Sequence, residues 1–525
     1  MGLLDLVLLR RHAAGAALWL ACIVTATAAA WRHDGLVALP EERWLWAGVL
    51  ASLHALVAVA WVGGVEAASA RLPWTRRATP VLPLVLLLVW ATRLPGGAPR
   101  PGAPERSADG PPVLLVTIDT LRADQLDPDR MPALHRLARQ GATWSRAYST
   151  APLTAPAHAS LLTGADVWEH GLVSNGRSVE LDSVVPRLHA AGYRTGAFLS
   201  ARVLDRSTGL HVGFEHFDDR WGDARLSWLP GGPSGEVVRR GHETLDRFER
   251  WRATLDGPWF AWVHLYDPHT PYDPPGSFRP TDQQLQGAEE EVEPEHPAKL
   301  STLFRRLATG APHEQRLLYE GEVRWTDRLL QRLLEQVPDD AVVLVVGDHG
   351  ESLGENGYWF NHGARLWEAT IRVPLVLRWP GVVVPGSRSD ELVSIQDVAA
   401  TLATVAEGGE APLIRSLGAP TREVVTSYTT GQEARATLGY RDEHAGPWRR
   451  GPVASRIFED GKLMVFRGEE AVWFDLEHDP EESIPLPVPP HRAADAAALE
   501  AMVEQRAAPL SDEQRAHLEA LGYVH

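Results

Sequence analysis

The chain shows two patterns of apolar and polar residues: long apolar stretches near its N-terminus, and shorter apolar runs separated by polar segments after residue 112. Three long apolar stretches come first, at roughly His12–Trp31, Leu45–Ala68 and Thr79–Ala91. The first two are long enough to span a bilayer as helices, and the third becomes so with flanking residues. A cleaved signal peptide would account for one such stretch but not for three in succession. The pattern predicts a membrane anchor of three transmembrane helices within residues 1–95.

Charged residues around these stretches predict how the anchor is oriented. Five arginines fall on one side of the membrane if the N-terminus is cytoplasmic: Arg10, Arg11, Arg71, Arg76 and Arg77. Because positive charge is retained on the cytoplasmic side, everything after the third span is expected outside the cytoplasm, in a periplasmic or extracellular location. The expected partner of the anchor is the membrane itself.

Shorter apolar runs follow a Pro- and Gly-rich segment at residues 96–111, which is expected to be a flexible linker. The runs predict β-strands at Val113–Ile118, Thr195–Leu199, Trp259–Leu265, Ala341–Val346 and Val373–Arg378. Helical patterns such as Met131–Gly141 lie between them. This alternation continues to about residue 408 and predicts an α/β core, residues 112–408, with a mostly parallel sheet covered on both faces.

Composition narrows the possible functions. The chain has 51 Lys and Arg against 68 Asp and Glu, and the net charge of −17 argues against a nucleic-acid partner. Lys299 and Lys462 are the only lysines. Cys22, the single cysteine, lies in the first apolar stretch. The domain after the linker therefore has no disulfide and no thiolate metal site.

Three predicted strands end at residues that commonly bind metals. Asp119 follows the first strand, Asp267 and His269 follow a later one, and Asp348 and His349 follow the run that begins at residue 341. In open α/β sheets the carboxyl ends of the strands face a common ligand crevice. The sequence therefore predicts a metal or ligand site at this edge of the sheet.

Seven segments resemble the sulfatase branch of the alkaline phosphatase superfamily: Val116–Asp124, Thr150–Gly164, Trp262–Tyr272, Gly347–Glu351, Arg372–Pro374, Trp473–Pro480 and Leu518–Val524. They occur in the family's order and extend from about residue 112 to the end of the chain. The resemblance implies an alkaline-phosphatase-like, doubly wound, mostly parallel sheet. It also implies a C-terminal subdomain, residues 409–525, with a smaller sheet.

The resemblance implies a divalent cation bound by Asp119, Asp348 and His349, with the hydroxyl of Thr154 as a further ligand. The sequence leaves the metal open among Ca²⁺, Mn²⁺, Mg²⁺ and Zn²⁺, and Thr120 stands where sulfatases usually place a second acidic ligand. Thr154 occupies the position of the Cys or Ser that sulfatases convert to formylglycine. Threonine is not a substrate for that conversion, but beside a metal its hydroxyl can attack phosphorus.

Three histidines complete the catalytic set that the resemblance implies. His269 matches a substrate-binding histidine and would serve as leaving-group acid or oxyanion donor. His362 aligns with a lysine that holds the sulfate group in sulfatases, and His158 replaces the arginine that stabilises formylglycine. No formylglycine is therefore expected.

Two further residues are candidates for substrate binding. His264 ends the strand that precedes His269, although a buried structural histidine is an equal alternative there. Arg202 stands near the place of the family's second signature, Gly-Lys-Trp-His, which this chain lacks. It is a candidate anion ligand in place of the missing lysine and histidine.

These observations predict a membrane-anchored metallohydrolase of phosphate or phosphonate esters that uses a threonine nucleophile. Three alternatives remain. The first is a phospho-head-group transferase, since lipoteichoic acid synthases and phosphoethanolamine transferases also combine multispan anchors with a threonine nucleophile. The second is a sulfuric ester hydrolase, and the third is an inactive binding module. The expected substrate is an anionic ester, which the sequence leaves open between lipid and glycan.

Overall fold

The computed structural model of the protein describes residues 110–221, 238–286, 312–409, 411–431 and 452–505. The three predicted membrane spans and most of the predicted linker lie outside these ranges, as does the terminal segment Leu518–Val524. Within the described ranges, no helix combines the length and apolar character that a membrane crossing requires.

Fifteen strands occur in the described ranges. In chain order they are β1 (Val113–Ile118), β2 (Ala142–Tyr148), β3 (Arg194–Phe198), β4 (His216–Asp218), β5 (Trp259–Leu265), β6 (Val342–Gly347), β7 (Ser352–Leu353), β8 (Trp359–Asn361), β9 (Leu375–Arg378), β10 (Ser387–Ser394), β11 (Val425–Thr429), β12 (Val453–Phe458), β13 (Gly461–Phe466), β14 (Val472–Phe474) and β15 (Leu486–Pro487).

Eleven α-helices accompany these strands in the same ranges. They are α1 (Pro132–Gln140), α2 (Thr154–Thr163), α3 (Val167–His170), α4 (Val185–Ala190), α5 (Gly241–Arg252), α6 (Asp282–Gln286), α7 (Pro312–Leu334), α8 (Glu368–Ile371), α9 (Asp397–Glu407), α10 (Pro412–Arg415) and α11 (Ala493–Gln505).

Eight strands form the central sheet, in the order β10-β2-β9-β6-β1-β5-β3-β4. All neighbours run parallel except β9, which is antiparallel to both β2 and β6. Every residue of the three central strands β1, β5 and β6 is buried. These strands are continuous apolar runs because both faces of the sheet are covered. The predicted mostly parallel α/β sheet is confirmed.

Helices cover the two faces of the sheet through separate apolar clusters. Ala155 of α2, Leu188 of α4 and Leu402 of α9 belong to one cluster. Leu134 of α1 and Phe248 of α5 belong to the other, together with residues of α7.

Strand β9 begins two residues later than predicted. Residue 374 is a proline, which has no backbone N–H to donate to a sheet ladder.

The smaller sheet is antiparallel and contains β11 to β15 in sequence order. Helix α11 packs on it through Leu499 and Val503, which join the same apolar cluster as Leu463. The sheet also supports the loop before α2, because the backbone N–H of Tyr428 donates to the carbonyl oxygen of Thr150 at 2.9 Å. The C-terminal sheet implied by the sequence is therefore present and contacts the loop that leads to Thr154.

Candidate active site

Helix α2 begins at Thr154, which lies beside the carboxyl end of β1 and is only 2 % exposed. The preceding residue, Leu153, is extended and provides no side-chain cap. The cap comes instead from Asn175, whose Oδ1 accepts the backbone N–H of Ala155 at 2.9 Å. Pro156 lies in the first turn, where its missing N–H costs no helical hydrogen bond. This arrangement fixes the nucleophile candidate at a helix N-terminus, which favours anions.

His158 holds the first turn of α2 against the sheet. Its Nδ1 lies 2.7 Å from the carbonyl oxygen of Thr154, and its Nε2 lies 2.8 Å from the Thr117 hydroxyl. A carbonyl only accepts, so Nδ1 carries the hydrogen and Nε2 accepts from Thr117. The Thr117 oxygen in turn accepts from Trp262 Nε1 at 2.9 Å. Burial lowers the pKa of His158 to about 3, so the ring is neutral at physiological pH.

This environment gives His158 a positioning role, which differs from the catalytic role predicted for it. Both ring nitrogens are already engaged by protein groups, and the side chain is fully buried. His158 therefore sets the position of Thr154 without having to touch a substrate.

Asp348 presents one carboxylate oxygen to the site and anchors the other. Its Oδ1 accepts the backbone N–H of His349 at 2.7 Å and of Thr120 at 3.2 Å. Thr120 adopts a φ of +53°, which is unusual for a β-branched residue, and the Tyr319 hydroxyl donates to its carbonyl at 2.8 Å. Asp348 Oδ2 makes no hydrogen bond to the part of the chain that the structure describes.

His349 has the tautomer that a metal ligand requires. Its Nδ1 donates to the carbonyl oxygen of Gly350 at 3.0 Å, which leaves the lone pair on Nε2. This Nε2 lies 3.7 Å from an oxygen of Asp119, 3.7 Å from Asp348 Oδ2 and 3.5 Å from Thr154 Oγ1. Burial, followed by the nearby His362 ring, lowers the pKa of His349 to about 3. The ring is therefore neutral.

Asp119 and Asp348 are fully buried and lie close enough to influence one another's charge. Burial, and then the charge of Asp119, raise the pKa of Asp348 well above its usual value. Burial alone would raise the pKa of Asp119, but facing histidines, His264 foremost, lower it below its usual range. Without a cation, one carboxylate of the pair is therefore ionised and the other holds a proton.

These groups fit a divalent cation. Asp119, Asp348 and His349 bring their ligand atoms within 4.8 Å of one another. Thr154 Oγ1 lies 3.4 Å from Asp119 Oδ2, which is long for a hydrogen bond. Donors bound tetrahedrally at about 2.0–2.2 Å from one cation are about 3.3–3.6 Å apart. Asp119 Oδ1 also lacks a hydrogen-bond partner among the described residues, and a cation would satisfy it.

His269 lies at the same edge of the sheet, next to Tyr266. Its Nδ1 is 2.6 Å from the carbonyl oxygen of Thr270 and 2.6 Å from the Tyr266 hydroxyl, and the two rings stack with centroids 4.3 Å apart. Because the carbonyl only accepts, Nδ1 carries a hydrogen. His269 can therefore act as an acid through Nε2 once the ring takes up a second proton.

His362 is brought against His269 and His349, with ring centroids 4.8 and 4.7 Å apart. Its Nδ1 lies 3.3 Å from Oε1 of Glu351, whose side chain is fully buried. Glu351 was missed as a site residue by the sequence analysis. The signal that could have identified it is its position three residues after Asp348, in a turn where a buried charge needs a partner.

The structure places three other residues singled out from the sequence, Asp267, Arg202 and His264, in three different environments. Asp267 turns away from the cation ligands, because its carboxylate accepts from Gly241 N and Trp325 Nε1, both at 2.9 Å. Including it among strand-end ligands was therefore wrong. Arg202 has an ion pair with Asp205 at 3.9 Å, and no described hydrogen bond or ion pair joins it to the cluster. His264 is fully buried with Nε2 3.5 Å from Asp119 Oδ2.

A buried threonine hydroxyl at a helix N-terminus and a cluster of candidate metal ligands at the ends of β1 and β6 fit an ester hydrolase of the alkaline phosphatase superfamily. The chain belongs to the sulfatase family, whose sequence model, described as Sulfatase, matches residues 111–408. Both the family and the enzyme class expected from the sequence motifs are thereby confirmed.

Named relatives include enzymes that act on different anionic esters. The chain is 24 % identical over 446 residues to an arylsulfatase of Clostridium perfringens, covering 71 % of this chain and 89 % of that protein. It is similar in fold to a phosphonate monoester hydrolase from Silicibacter pomeroyi, with a TM-score of 0.56, 21 % identity and coverage of 75 % and 94 %. The fold is also similar to that of a protein solved in complex with its substrate D-glucosamine-2-N,6-O-disulfate, with a TM-score of 0.54 and 18 % sequence identity. The match covers 76 % of this chain and 97 % of that one.

Proposed function

We propose that this protein is a membrane-anchored metallohydrolase of phosphate or phosphonate esters, with Thr154 as nucleophile. The observation that carries the proposal is the location of Thr154 Oγ1, 3.4 Å from Asp119 Oδ2 and 3.5 Å from His349 Nε2. The hydroxyl thus completes the ligand set of the candidate cation site. A divalent cation held there would lower the pKa of the hydroxyl and reduce the charge repulsion of an anionic substrate.

Thr154 attacks the phosphorus in line with the leaving group. The Oγ–P bond forms, the P–O bond to the leaving alcohol breaks, and the nucleophile's proton passes to solvent. Protonated His269 gives its Nε2 proton to the departing oxygen. Water then attacks the phospho-threonine, which releases phosphate or phosphonate and restores the hydroxyl. The dipole of α2, whose N-terminus lies at Thr154, favours the negative charge of the phosphoryl oxygens.

His362 and Glu351 support this chemistry from beside His269 and His349, whose rings the His362 imidazole contacts. The carboxylate of Glu351 accepts the Nδ1–H of His362, which fixes the orientation of the imidazole. This orientation turns Nε2 away from Glu351. A histidine held in this way donates to a phosphoryl oxygen from Nε2 only as the imidazolium, so its positive charge depends on protonation, whereas the lysine that sulfatases have there is charged throughout.

The residue at the nucleophile position favours phosphorus over sulfur. Formylglycine forms from Cys or Ser, whereas residue 154 is threonine and the only cysteine of the chain is Cys22. A threonine nucleophile would have to leave from a stable sulfate ester in the second step, without the aldehyde that normally expels sulfate. Sulfuric ester hydrolysis is therefore the weaker reading for this chain, although the family includes it.

A second candidate function is transfer of a phospho-head-group to a lipid or glycan. The sequence feature that favours it is the set of three apolar stretches within residues 1–95, which would anchor the domain at a membrane and outside the cytoplasm. The same covalent phospho-threonine would serve both reactions. Only the acceptor in the second step differs, an alcohol in place of water.

The experiment that tests the proposal uses the full-length protein in detergent micelles. Aryl phosphate, bis-aryl phosphate, aryl phosphonate and aryl sulfate are each supplied with Ca²⁺, Mn²⁺, Mg²⁺ or Zn²⁺. Wild type is compared with Thr154→Ser, which keeps a hydroxyl, and Thr154→Ala, which removes it. Thr163→Ala at the end of the same helix is the matched control. Mass spectrometry of acid-quenched samples searches for a phosphate on Thr154.

The expected result is metal-dependent turnover of a phosphorus ester that falls on the order of 10³-fold in Thr154→Ala and survives in the serine and control variants. Sulfate turnover that persists in Thr154→Ala would refute the threonine mechanism. Activity that appears only with an added lipid or glycan acceptor would favour the transferase. Absence of both turnover and bound metal would identify an inactive binding module.

A further inference from the structure

A buried lysine connects the C-terminal sheet to helix α8. Lys462 lies on β13, and its side chain is fully buried. Its Nζ lies 2.6 Å from Oε1 of Glu482 and 3.3 Å from Oε1 of Glu368. Because a buried charge is costly unless it is paired, this ammonium group and the two carboxylates depend on one another.

The two carboxylates fix the start of α8, which begins at Glu368. Glu482 Oε2 accepts the backbone N–H of Glu368 at 2.6 Å, and Glu368 Oε2 accepts the hydroxyl of Tyr148, at the end of β2, at 2.9 Å. The residue before the helix, Trp367, provides no side-chain cap. The beginning of α8 is therefore held by side chains from two other parts of the fold.

Glu482 depends on Lys462 for this role. Its φ of +55° is unusual for a residue with a side chain, and such a conformation persists where the surrounding contacts require it. Burial raises the pKa of Glu482 to about 7, and Lys462 acts against that rise. Without Lys462 the pKa would rise further, and a protonated Glu482 would accept the N–H of Glu368 more weakly than the carboxylate does.

The C-terminal end of α8 holds the three loops that carry the site residues. They are the turn after β6, which contains His349, the segment that leads to Thr154, and the turn after β1, which contains Asp119. Each loop donates one backbone N–H to one of three consecutive carbonyl oxygens. The pairs are Gly350 to Thr370 at 2.9 Å, Ser149 to Ile371 at 2.8 Å and Ala123 to Arg372 at 3.2 Å. A displacement of α8 therefore displaces all three loops.

The contact between α8 and the turn after β6 is especially close. A Cβ on Gly350 would clash with the carbonyl oxygen of Ala369, so the two backbones are packed without room for a side chain. The carbonyl oxygen of Gly350 also accepts from His349 Nδ1 at 3.0 Å, which sets the orientation of that imidazole. The position of α8 is thereby transmitted to a candidate cation ligand.

We propose that Lys462 is a positioning residue of the active site. Through the carboxylates that it pairs, it fixes α8, and α8 sets the relative positions of the loops that carry the nucleophile candidate and the candidate cation ligands. The inference rests on the proposed function for the reaction that these loops serve. Lys462 acts through the backbone of α8 and not by contact with substrate or cation.

Amide hydrogen exchange measured by mass spectrometry tests this connection. The full-length protein is studied in detergent micelles with EDTA, so the measurement requires neither metal nor substrate. Lys462→Met removes the ammonium group and keeps an apolar side chain of similar length. Leu499→Ala on α11 is the matched control, because Leu499 packs with Leu463, whose side chain lies on the opposite face of the sheet from Lys462.

Peptides that contain the amides of Gly350, Ser149 and Ala123 report on the three loops. These amides should exchange about tenfold faster in Lys462→Met than in wild type, whereas the amides of β1 should not change. Leu499→Ala should leave all of them at wild-type rates. A folded Lys462→Met with wild-type exchange at the three amides would overturn the inference. Equal acceleration in β1 would overturn it as well, because it would indicate only a loss of global stability.

Metal affinity and kinetics connect the positioning role to the reaction. In Lys462→Met the dissociation constant of the divalent cation should rise on the order of tenfold, and kcat should fall more than KM rises, because the nucleophile is displaced from the cation. Faster exchange in the three loops of a protein that neither binds a cation nor turns over an ester would leave the inference intact and refute the proposed function. Unchanged exchange together with metal-dependent turnover would refute the inference alone.

A second variant carries the test if Lys462→Met does not fold. Glu368→Ala releases α8 from Lys462 and from the hydroxyl of Tyr148, while the ammonium group keeps Glu482 as its partner. The same three amides should then exchange faster than in wild type. Wild-type exchange at all three in Glu368→Ala would overturn the inference.

Discussion

The imidazole of His158 donates from Nδ1 to the carbonyl oxygen of Thr154 at 2.7 Å, within the first turn of α2. The other nitrogen accepts from Thr117, so a single buried ring connects Thr154 to β1. The position of Thr154 relative to Asp119 therefore depends on a neutral histidine in the core as well as on the helix itself.

The first prediction follows from this connection. His158→Phe keeps a ring of similar size but loses both hydrogen bonds, which leaves the Thr117 hydroxyl without its acceptor. We expect a loss of about 1–3 kcal/mol in the free energy of unfolding, measured by urea denaturation. The rate constant kcat should fall more than KM rises, because Thr154 is displaced and the substrate contacts are not. Equal stability and equal kcat in the variant and wild type would contradict this role.

The second prediction concerns removal of the metal. Asp348→Asn keeps the oxygen that accepts from Thr120 and His349, and it imitates the neutral carboxyl that burial and Asp119 favour, without the cost of taking up a proton. In EDTA the variant should therefore melt at or above the temperature of wild type. Added metal should stabilise wild type by about 2.7 kcal/mol at a concentration of one hundred times Kd, and should stabilise the variant far less.

Scanning fluorimetry in EDTA and in increasing metal checks both parts of this second prediction. Asp390→Asn, a surface substitution of the same kind, should respond to metal as wild type does. A wild-type melting temperature that ignores every divalent cation would argue against the site.

The third prediction separates proton donation from binding. If His269 protonates the leaving group, His269→Ala should lower kcat by about 10²–10⁴-fold for alkyl esters, whose leaving oxygen needs a proton. Nitrophenyl esters leave without that help and should lose much less. The measurement is the ratio of kcat values for the two ester types in wild type and variant. An equal loss for both types would indicate that His269 only positions the substrate.

The sequence predicted those parts of the structure that depend on short-range patterns of apolar and polar residues along the chain. The apolar runs of β1 and β5 predicted both strands with their observed ends, because buried parallel strands are continuous apolar segments. Asp119 and Asp348 were predicted as site residues from their places at strand ends, and the structure brings them together. That success depends on topology, since adjacent parallel strands end at the same edge of the sheet.

The sequence could not predict contacts that depend on the exact course of a loop. Asp267 follows β5 as Asp119 follows β1, yet the chain turns its carboxylate toward Gly241 and Trp325. The pairing of Glu351 with His362 joins residues 11 positions apart through a turn that no local pattern specifies. The register of the sheet brings His264 Nε2 to within 3.5 Å of Asp119 Oδ2, and one sequence without its fold does not reveal that register.

The last prediction concerns pH and a residue outside the candidate active site. Glu322 on α7 is buried, with Oε1 3.1 Å from Arg240 and 2.8 Å from the backbone N–H of Asp273. Burial outweighs Arg240 and raises the pKa of Glu322 from 4.5 to about 7. The folded state therefore binds a proton that the unfolded state has released. Its contribution to stability is complete below pH 4.5 and is lost as the pH rises toward 7.

Glu322→Gln imitates the protonated side chain at every pH, so the variant should not show this loss. At pH 5 its free energy of unfolding should be close to that of wild type, and by pH 8 the difference should have moved in favour of the variant by about 1–3 kcal/mol. Urea denaturation from pH 5 to pH 8 measures this difference. Glu320→Gln removes the same charge from the more exposed side of the helix and serves as the control. Parallel stability profiles for wild type and Glu322→Gln would mean that Glu322 is ionised in the folded protein throughout this range, held so by Arg240.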